Sequence, residues 1–150
     1  MTTGKQISAT PADTFDLGEK IGESLSGGEV ILLTGGLGAG KTLLTKGILY
    51  ALGYDIDEVT SPSFTLVNLY KTEARNIYHI DLWRLDAGPS AARAIDLDEI
   101  LDDENAIVII EWAEKLQKFS FPGKVLRIGI EGDGDDPRTI EMSLESSLSL

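Results

Sequence analysis

The hydrophobic pattern changes its period several times along the chain. Residues 29–34 (EVILLT) and 106–112 (AIVIIEW) are short runs of aliphatic and β-branched side chains with almost no alternation. Such runs predict strands buried on both faces, as in a parallel sheet covered by helices. Residues 76–84 (NIYHIDLWR) form another extended stretch, and 65–70 become strand-like after a loop at Ser61-Pro62. Residues 125–131 and 139–145 alternate, and 132–137 (GDGDDP) joins them as a hairpin loop. Between the strands the spacing turns helical. Thr10-Pro11-Ala12-Asp13 opens a helix, with Thr10 as cap, Pro11 in the first turn and Asp13 near the positive end. Phe15, Leu17, Ile21 and Leu25 follow at helical spacing, and Gly27-Gly28 is expected to end it. Residues 41–52 read as a second helix stopped by Gly53, and Gly88-Pro89-Ser90 starts a looser helical region through 97–101. The expected fold is therefore α/β, a mixed, mostly parallel sheet flanked by helices with C-terminal antiparallel strands. It fills one domain over residues 1–150, with 146–150 frayed.

Length and charge narrow the function. A chain of 150 residues, 42% hydrophobic and 25% charged, fits one globular domain. The 25 acids against 13 Lys and Arg leave a net charge of −12, a surface that repels nucleic-acid backbones. Contact with RNA is then expected only through a partner. Cysteine is absent and His79 is the single histidine, so a zinc site of the His/Cys type lacks ligands. No apolar run approaches the ~18–20 residues of a membrane span, and the opening MTTGKQISAT has no signal-peptide core. A cytoplasmic protein without a membrane partner is expected.

The turn between the first buried strand and the second helix carries the chemistry. Gly35-Gly36-Leu37-Gly38-Ala39-Gly40-Lys41-Thr42 fits G-x-x-x-x-G-K-[ST]. Phosphates need several donors converging on a small volume. Glycines let the backbone curl so that amides point inward, and the helix N-terminus, reaching to Leu43, adds partial positive charge. Lys41 supplies a cation for β- and γ-phosphates, and Thr42 offers a hydroxyl to Mg²⁺. The run satisfies G-x-G-x-x-G in no register, so a dinucleotide fold is not supported.

Three further segments are candidates. Glu111 ends the apolar strand 107–111, where phosphate-loop proteins carry an acid behind the metal. At strand period two, His79 and Asp81 share a face with Ile77 and Trp83. Asp81 would suit a metal-bound or attacking water, or the two polar groups form a structural His–Asp pair. Ser61, Pro62, Ser63, Phe64 and Thr65 stand where switch segments sense the γ-phosphate, or form an ordinary turn. Two segments mislead. Leu25-Ser26-Gly27-Gly28-Glu29 resembles a transporter-ATPase signature but precedes the phosphate loop, and reads as a helix end. Trp112 could contact nucleotide or partner, or be a packed core aromatic.

The guanine motif N-K-x-D and the switch motif D-x-x-G are both absent, which argues against a GTPase. The five arginines, Arg75, Arg84, Arg93, Arg127 and Arg138, do not cluster in a lid-like segment as in small-molecule kinases. What remains is a small accessory ATPase or switch. The ordered set GGLGAGKT, TSPSFTLV, HIDLWR, LDEIL and IIEWAE resembles the TsaE (YjeE) family over about residues 5–131. That is a family of bacterial ATPases needed to make threonylcarbamoyladenosine next to the anticodon of tRNA.

The resemblance implies a single-domain P-loop NTPase-like fold that binds ATP or ADP with Mg²⁺. Gly38, Ala39, Gly40, Lys41 and Thr42 would bind phosphates, with Thr42 also on Mg²⁺. Glu111 would be the Walker B acid on the metal, Asp81 would stand in the metal or water shell, and 61–65 would be the switch-like loop. It further implies partnership with a TsaB–TsaD pair, in which TsaD transfers threonylcarbamoyl to tRNA. ATP hydrolysis by the TsaE-like subunit would reset that assembly, with tRNA touched only indirectly. Three departures stand out: Gly36 where the family often has Asp, Trp83 for the usual Tyr, and Asp96 where Gly is common. A self-sufficient metabolite kinase and a nucleotide-gated binding module without hydrolysis are the competing expectations.

Overall fold

The computed structural model describes residues 4–36, 38–59 and 65–146. In chain order its first elements are β1 (Gly4–Ser8), α1 (Pro11–Ser24), β2 (Val30–Thr34), α2 (Lys41–Ala51), β3 (Val67–Lys71) and β4 (Asn76–Asp81). Then come α3 (Pro89–Ala94), α4 (Leu97–Leu101), β5 (Ile107–Glu111), β6 (Lys124–Glu131) and β7 (Arg138–Ser146). Single 3-10 turns lie at Ile56–Glu58 and Ala113–Leu116.

The strands form one sheet of seven in the order β1-β7-β6-β2-β5-β4-β3. The four central strands, β6, β2, β5 and β4, run parallel. Both edges are antiparallel: β7 and β1 on one side, β3 on the other. The C-terminal hairpin is as expected, and the antiparallel character extends to the opposite edge as well. β1 leaves almost no trace in the sequence, because its one large apolar side chain, Ile7, is 66% exposed. β7 reaches Ser146, one residue into the tail expected to fray; residues 147–150 lie outside the described part.

Period two in the strands divides the core. Ile31, Leu33, Ile77, Ile107, Ile109 and Ile128 pack under Ile21 of α1 and Leu44, Ile48 and Leu49 of α2. Val30, Leu32, Ile80, Val108 and Ile110 pack on the other face under Ala91, Leu97 and Ile100 of α3 and α4. β2 and β5 bury both faces, which is why they read as unbroken apolar runs.

α1 starts as its sequence predicts. Thr10 Oγ1 accepts the Asp13 amide at 3.1 Å, and Asp13 Oδ2 accepts the Ala9 amide at 3.2 Å. Its end is a correction. The helix stops at Ser24, and Leu25 is already extended as its side chain turns into the core. Gly27 and Gly28 belong to the following loop, where the buried Glu29 carboxylate accepts the amides of Ser26 (2.9 Å) and Gly27 (2.8 Å). Glu29 therefore braces a loop, and the strand begins at Val30.

α1 and α2 approach closely through glycine. A Cβ on Gly18 would stand 2.3 Å from the Leu44 carbonyl oxygen, and one on Gly47 2.2 Å from that of Phe15. This contact sets the helix whose first turn carries Lys41 and Thr42.

Candidate functional site

The glycine-rich turn leaves the C-terminal end of β2, in the middle of the sheet. Gly35 takes φ +145°, and a Cβ there would lie 2.4 Å from the Ile130 carbonyl oxygen of β6, so the chain turns against a neighbouring backbone that leaves no room for a side chain. Gly40 adopts the left-handed conformation as N-cap of α2 and gives no side-chain bond to the helix's first amides. Uncapped amides at a helix N-terminus are the kind of donors that suit an anion.

The outer side of the turn is held by Arg138, the first residue of β7. Its Nε donates to the Ala39 carbonyl at 2.9 Å, and Nη2 donates to the Gly38 carbonyl at 3.2 Å and the Gly134 carbonyl at 3.1 Å. Nη1 donates to the Asp136 carbonyl. In a trans peptide the N–H points opposite to the C=O. Fixing the Ala39 carbonyl on Arg138 therefore turns the Gly40 amide to the inner side.

The inner side faces a cavity of about 430 Å³ lined by Gly36, residues 38–43, Asp81, Trp83, Arg84, Glu111 and Trp112. Lys41 folds back over the turn, donating from Nζ to Gly35 O at 2.5 Å and Gly36 O at 3.4 Å. The same Nζ lies 4.0 Å from the centroid of the Trp112 ring. Burial holds the Lys41 ammonium below its ordinary pKa, against the opposing pull of Glu111, Glu114 and Asp81.

Strand order brings in the carboxylates. β5 pairs with β2 and β4 with β5, with Asp81 and Glu111 as register partners at the strand ends. Asp81 Oδ1 accepts the Trp83 amide at 2.9 Å. Burial pushes the Asp81 carboxyl above its ordinary value. The Trp83 amide, His79 and Lys41 resist that shift and Glu111 adds to it. His79, fully buried, sits with Nε2 2.5 Å from Glu111 Oε2. Of the two readings of His79 and Asp81, the structural His–Asp pair is not formed: each meets a different partner, because Asp81 turns back to the Trp83 backbone where β4 ends. Trp83 does not continue the strand face but packs at a tilt against Trp112, centroids 4.7 Å apart.

Among the predicted residues, Gly36, Gly38, Ala39, Gly40, Lys41, Thr42, Leu43, Asp81 and Glu111 meet at one cavity. Gly35 lies behind it and offers its carbonyl to Lys41. Thr65 bonds Asn68 Oδ1 at 2.9 Å and is absent from the lining. Leu37, Ser61, Pro62, Ser63 and Phe64 lie outside the described residues. The three departures find simple settings. A Cβ at Gly36 would meet nothing within 4 Å, Asp96 itself adopts φ 55° and keeps a left-handed turn, and Trp83 makes a ring contact with Trp112. Sequence reasoning missed Arg138, for which no local signal exists, and left Trp112 undecided.

Thr42 with the two carboxylates presents hard oxygen donors. Among the described residues no group of three acidic, His or Cys side chains could hold a metal by itself. That set fits Mg²⁺, which commonly takes one or two protein oxygens and completes its shell with phosphate and water. A larger cavity, about 520 Å³, lies at the opposite end of the sheet between the 26–29 loop and acidic 102–104. Its lining includes neither Lys41 nor the glycine-rich turn, so volume does not locate the site.

An α/β sheet whose central strand passes through a G-x-x-x-x-G-K-[ST] turn into a helix, with acids on the next two strand ends, defines the class of this protein. The family profile "Threonylcarbamoyl adenosine biosynthesis protein TsaE" matches residues 8–140. The chain belongs to the TsaE family. It is similar to "tRNA threonylcarbamoyladenosine biosynthesis protein TsaE" of Mycobacterium tuberculosis, 40% identical over 111 residues, 69% of this chain and 65% of that protein. The alignment thus spans under two thirds of the mycobacterial relative. The protein of the same name from a Nostoc species is 38% identical over 130 residues, covering 83% and 78%. The crystal structure of Bacillus subtilis YdiB superposes with a TM-score of 0.72 at 29% identity, covering 94% of this chain and 84% of that one. Among the described residues no helix is long and apolar enough to cross a membrane.

Proposed function

We propose that this chain binds ATP and ADP with Mg²⁺ and hydrolyses ATP as a cytoplasmic subunit in the synthesis of threonylcarbamoyladenosine on tRNA. The observation that carries the reading is convergence. Lys41, Thr42 and the turn amides face the same cavity as Asp81 and Glu111, from the two neighbouring strand ends. In that arrangement the turn and the α2 N-terminus hold phosphate oxygens, and Lys41 moves from its carbonyl contacts onto them. Thr42 and Glu111 would hold Mg²⁺, which when bound neutralises charge on the transferred phosphoryl group. Asp81, raised by burial, orients water at the cavity wall. The relatives named for threonylcarbamoyladenosine biosynthesis support a place in that tRNA modification pathway, and the proposal takes TsaB- and TsaD-type proteins as the partners there. The net charge of −12 favours a basic docking surface on the partner and leaves tRNA there.

Calorimetry with Lys41→Ala tests the site: ATP affinity falls by about tenfold or more, because a charged hydrogen bond to phosphate is worth about 1.5–3 kcal/mol. Unchanged affinity sinks the assignment. Phosphate release by the chain alone should be slow and should rise when a TsaB–TsaD pair is added, since cations supplied in trans can accelerate such transfer by ~10³ or more. Fast release with no response to partners would favour a self-sufficient enzyme.

A further inference from the structure

His79 is the only histidine of the chain, and it is fully buried. It stands on the β4 face that packs under α2, its ring 6.3 Å from that of buried Tyr70. An apolar side chain would fill that place at less desolvation cost. Among the described residues the imidazole has one hydrogen-bond contact, Nε2 to Glu111 Oε2 at 2.5 Å, and its buried Nδ1 finds no partner. A carboxylate only accepts, so Nε2 carries the hydrogen and donates it. The cost of an unsatisfied Nδ1 is tolerated for a single bond to one carboxylate oxygen.

We propose that His79 is a positioning residue: its Nε2–H holds Oε2 of Glu111 and thereby aims Oε1 into the phosphate cavity for a Mg²⁺ ion. The proposal rests on the reading of Glu111 as the metal-side acid. Glu111 lines the cavity from the end of β5, and with Oε2 taken by His79 the other oxygen is the one left to it. A free glutamate would sample several rotamers and pay for their loss on metal binding, whereas a tethered one is already placed. The ring is fully buried beside that of Tyr70, so little open space surrounds it.

Two measurements on the full chain test this. The single histidine makes ¹⁵N-histidine spectra unambiguous. The wild type should show the Nε2–H tautomer with a slowly exchanging ring proton, and Glu111→Ala should lose that slow exchange. Equal exchange in both would overturn the bond. The second compares ADP affinity with Mg²⁺ and with EDTA, alongside kcat, in wild type, His79→Leu and His79→Gln. Gln places an amide donor near the position of Nε2, and Leu keeps bulk without a donor. His79→Leu should lose about 10–100-fold of the Mg²⁺-dependent gain in affinity and of kcat, with EDTA affinity unchanged, and His79→Gln should recover most of it. A folded His79→Leu with the full Mg²⁺ gain overturns the proposal, as does a Gln variant no better than Leu. Should Leu fail to fold, the Gln variant and the Glu111→Ala spectrum decide. If the wild type itself gains nothing from Mg²⁺, the metal reading of the site fails, a result distinct from a gain that survives without His79.

Discussion

Arg138→Met removes the guanidinium that braces the glycine-rich turn while keeping most of the side-chain stem. Four backbone carbonyls lose their donor: Gly38, Ala39, Gly134 and Asp136. Three of these contacts are exposed, and water replaces them at little cost. The Nε bond to Ala39 is partly buried, and its loss should cost about 1–2 kcal/mol. For a domain of this size that lowers Tm by about 2–8 °C. The larger consequence is at the cavity. Without the brace the turn must be ordered by the ligand, and fixing even one residue's backbone costs about 1–2 kcal/mol. ADP affinity should therefore fall roughly tenfold by calorimetry. Arg138→Lys, which keeps charge but not the fork, should lie between. A variant that melts lower but binds ADP normally would show that Arg138 only joins β7 to the turn. Unchanged melting and unchanged affinity would refute the brace altogether.

Gly47→Ala should destabilise the chain by about 2 kcal/mol despite alanine's better helix propensity, because its Cβ meets the Phe15 carbonyl and the two helices must part; a wild-type Tm would contradict the close approach. Asp81→Asn should stabilise the fold at neutral pH. The folded state holds the Asp81 proton more tightly than the unfolded chain, so ionisation costs stability as pH rises from the ordinary carboxylate value to the raised one. The Tm difference between Asn variant and wild type should grow from near zero at about pH 4 to positive at pH 7, and a difference flat with pH would refute the burial argument. Both tryptophans line the cavity, and Lys41 sits on Trp112, so saturating ADP should change intrinsic fluorescence, and Trp112→Phe should remove most of the change. An unaltered emission would mean Lys41 does not move.

The sequence by itself determined what depends on a few neighbouring residues. Thr10 capping Asp13, the unbroken apolar runs of β2 and β5, the alternating β6–β7 hairpin and the G-x-x-x-x-G-K-[ST] turn are local chemistry, legible from the order of side chains. The ends were less legible: Gly27-Gly28 looked like a helix stop, but burial of Leu25 and the Glu29 carboxylate ended α1 earlier. Only the tertiary structure decided strand order, and with it the company each site residue keeps. Nothing in HIDLWR or IIEWAE says that β4 and β5 are adjacent, and only their pairing brings His79, the register partner of Ile109, within reach of the Glu111 carboxylate. Arg138 reaches Ala39 across 99 residues of chain, and Gly18 meets α2 by backbone contact. Such contacts arise because a sheet aligns strands far apart in sequence, and helix spacing depends on both surfaces at once. Capping, turn conformation and hydrophobic period, by contrast, are energies of one short segment.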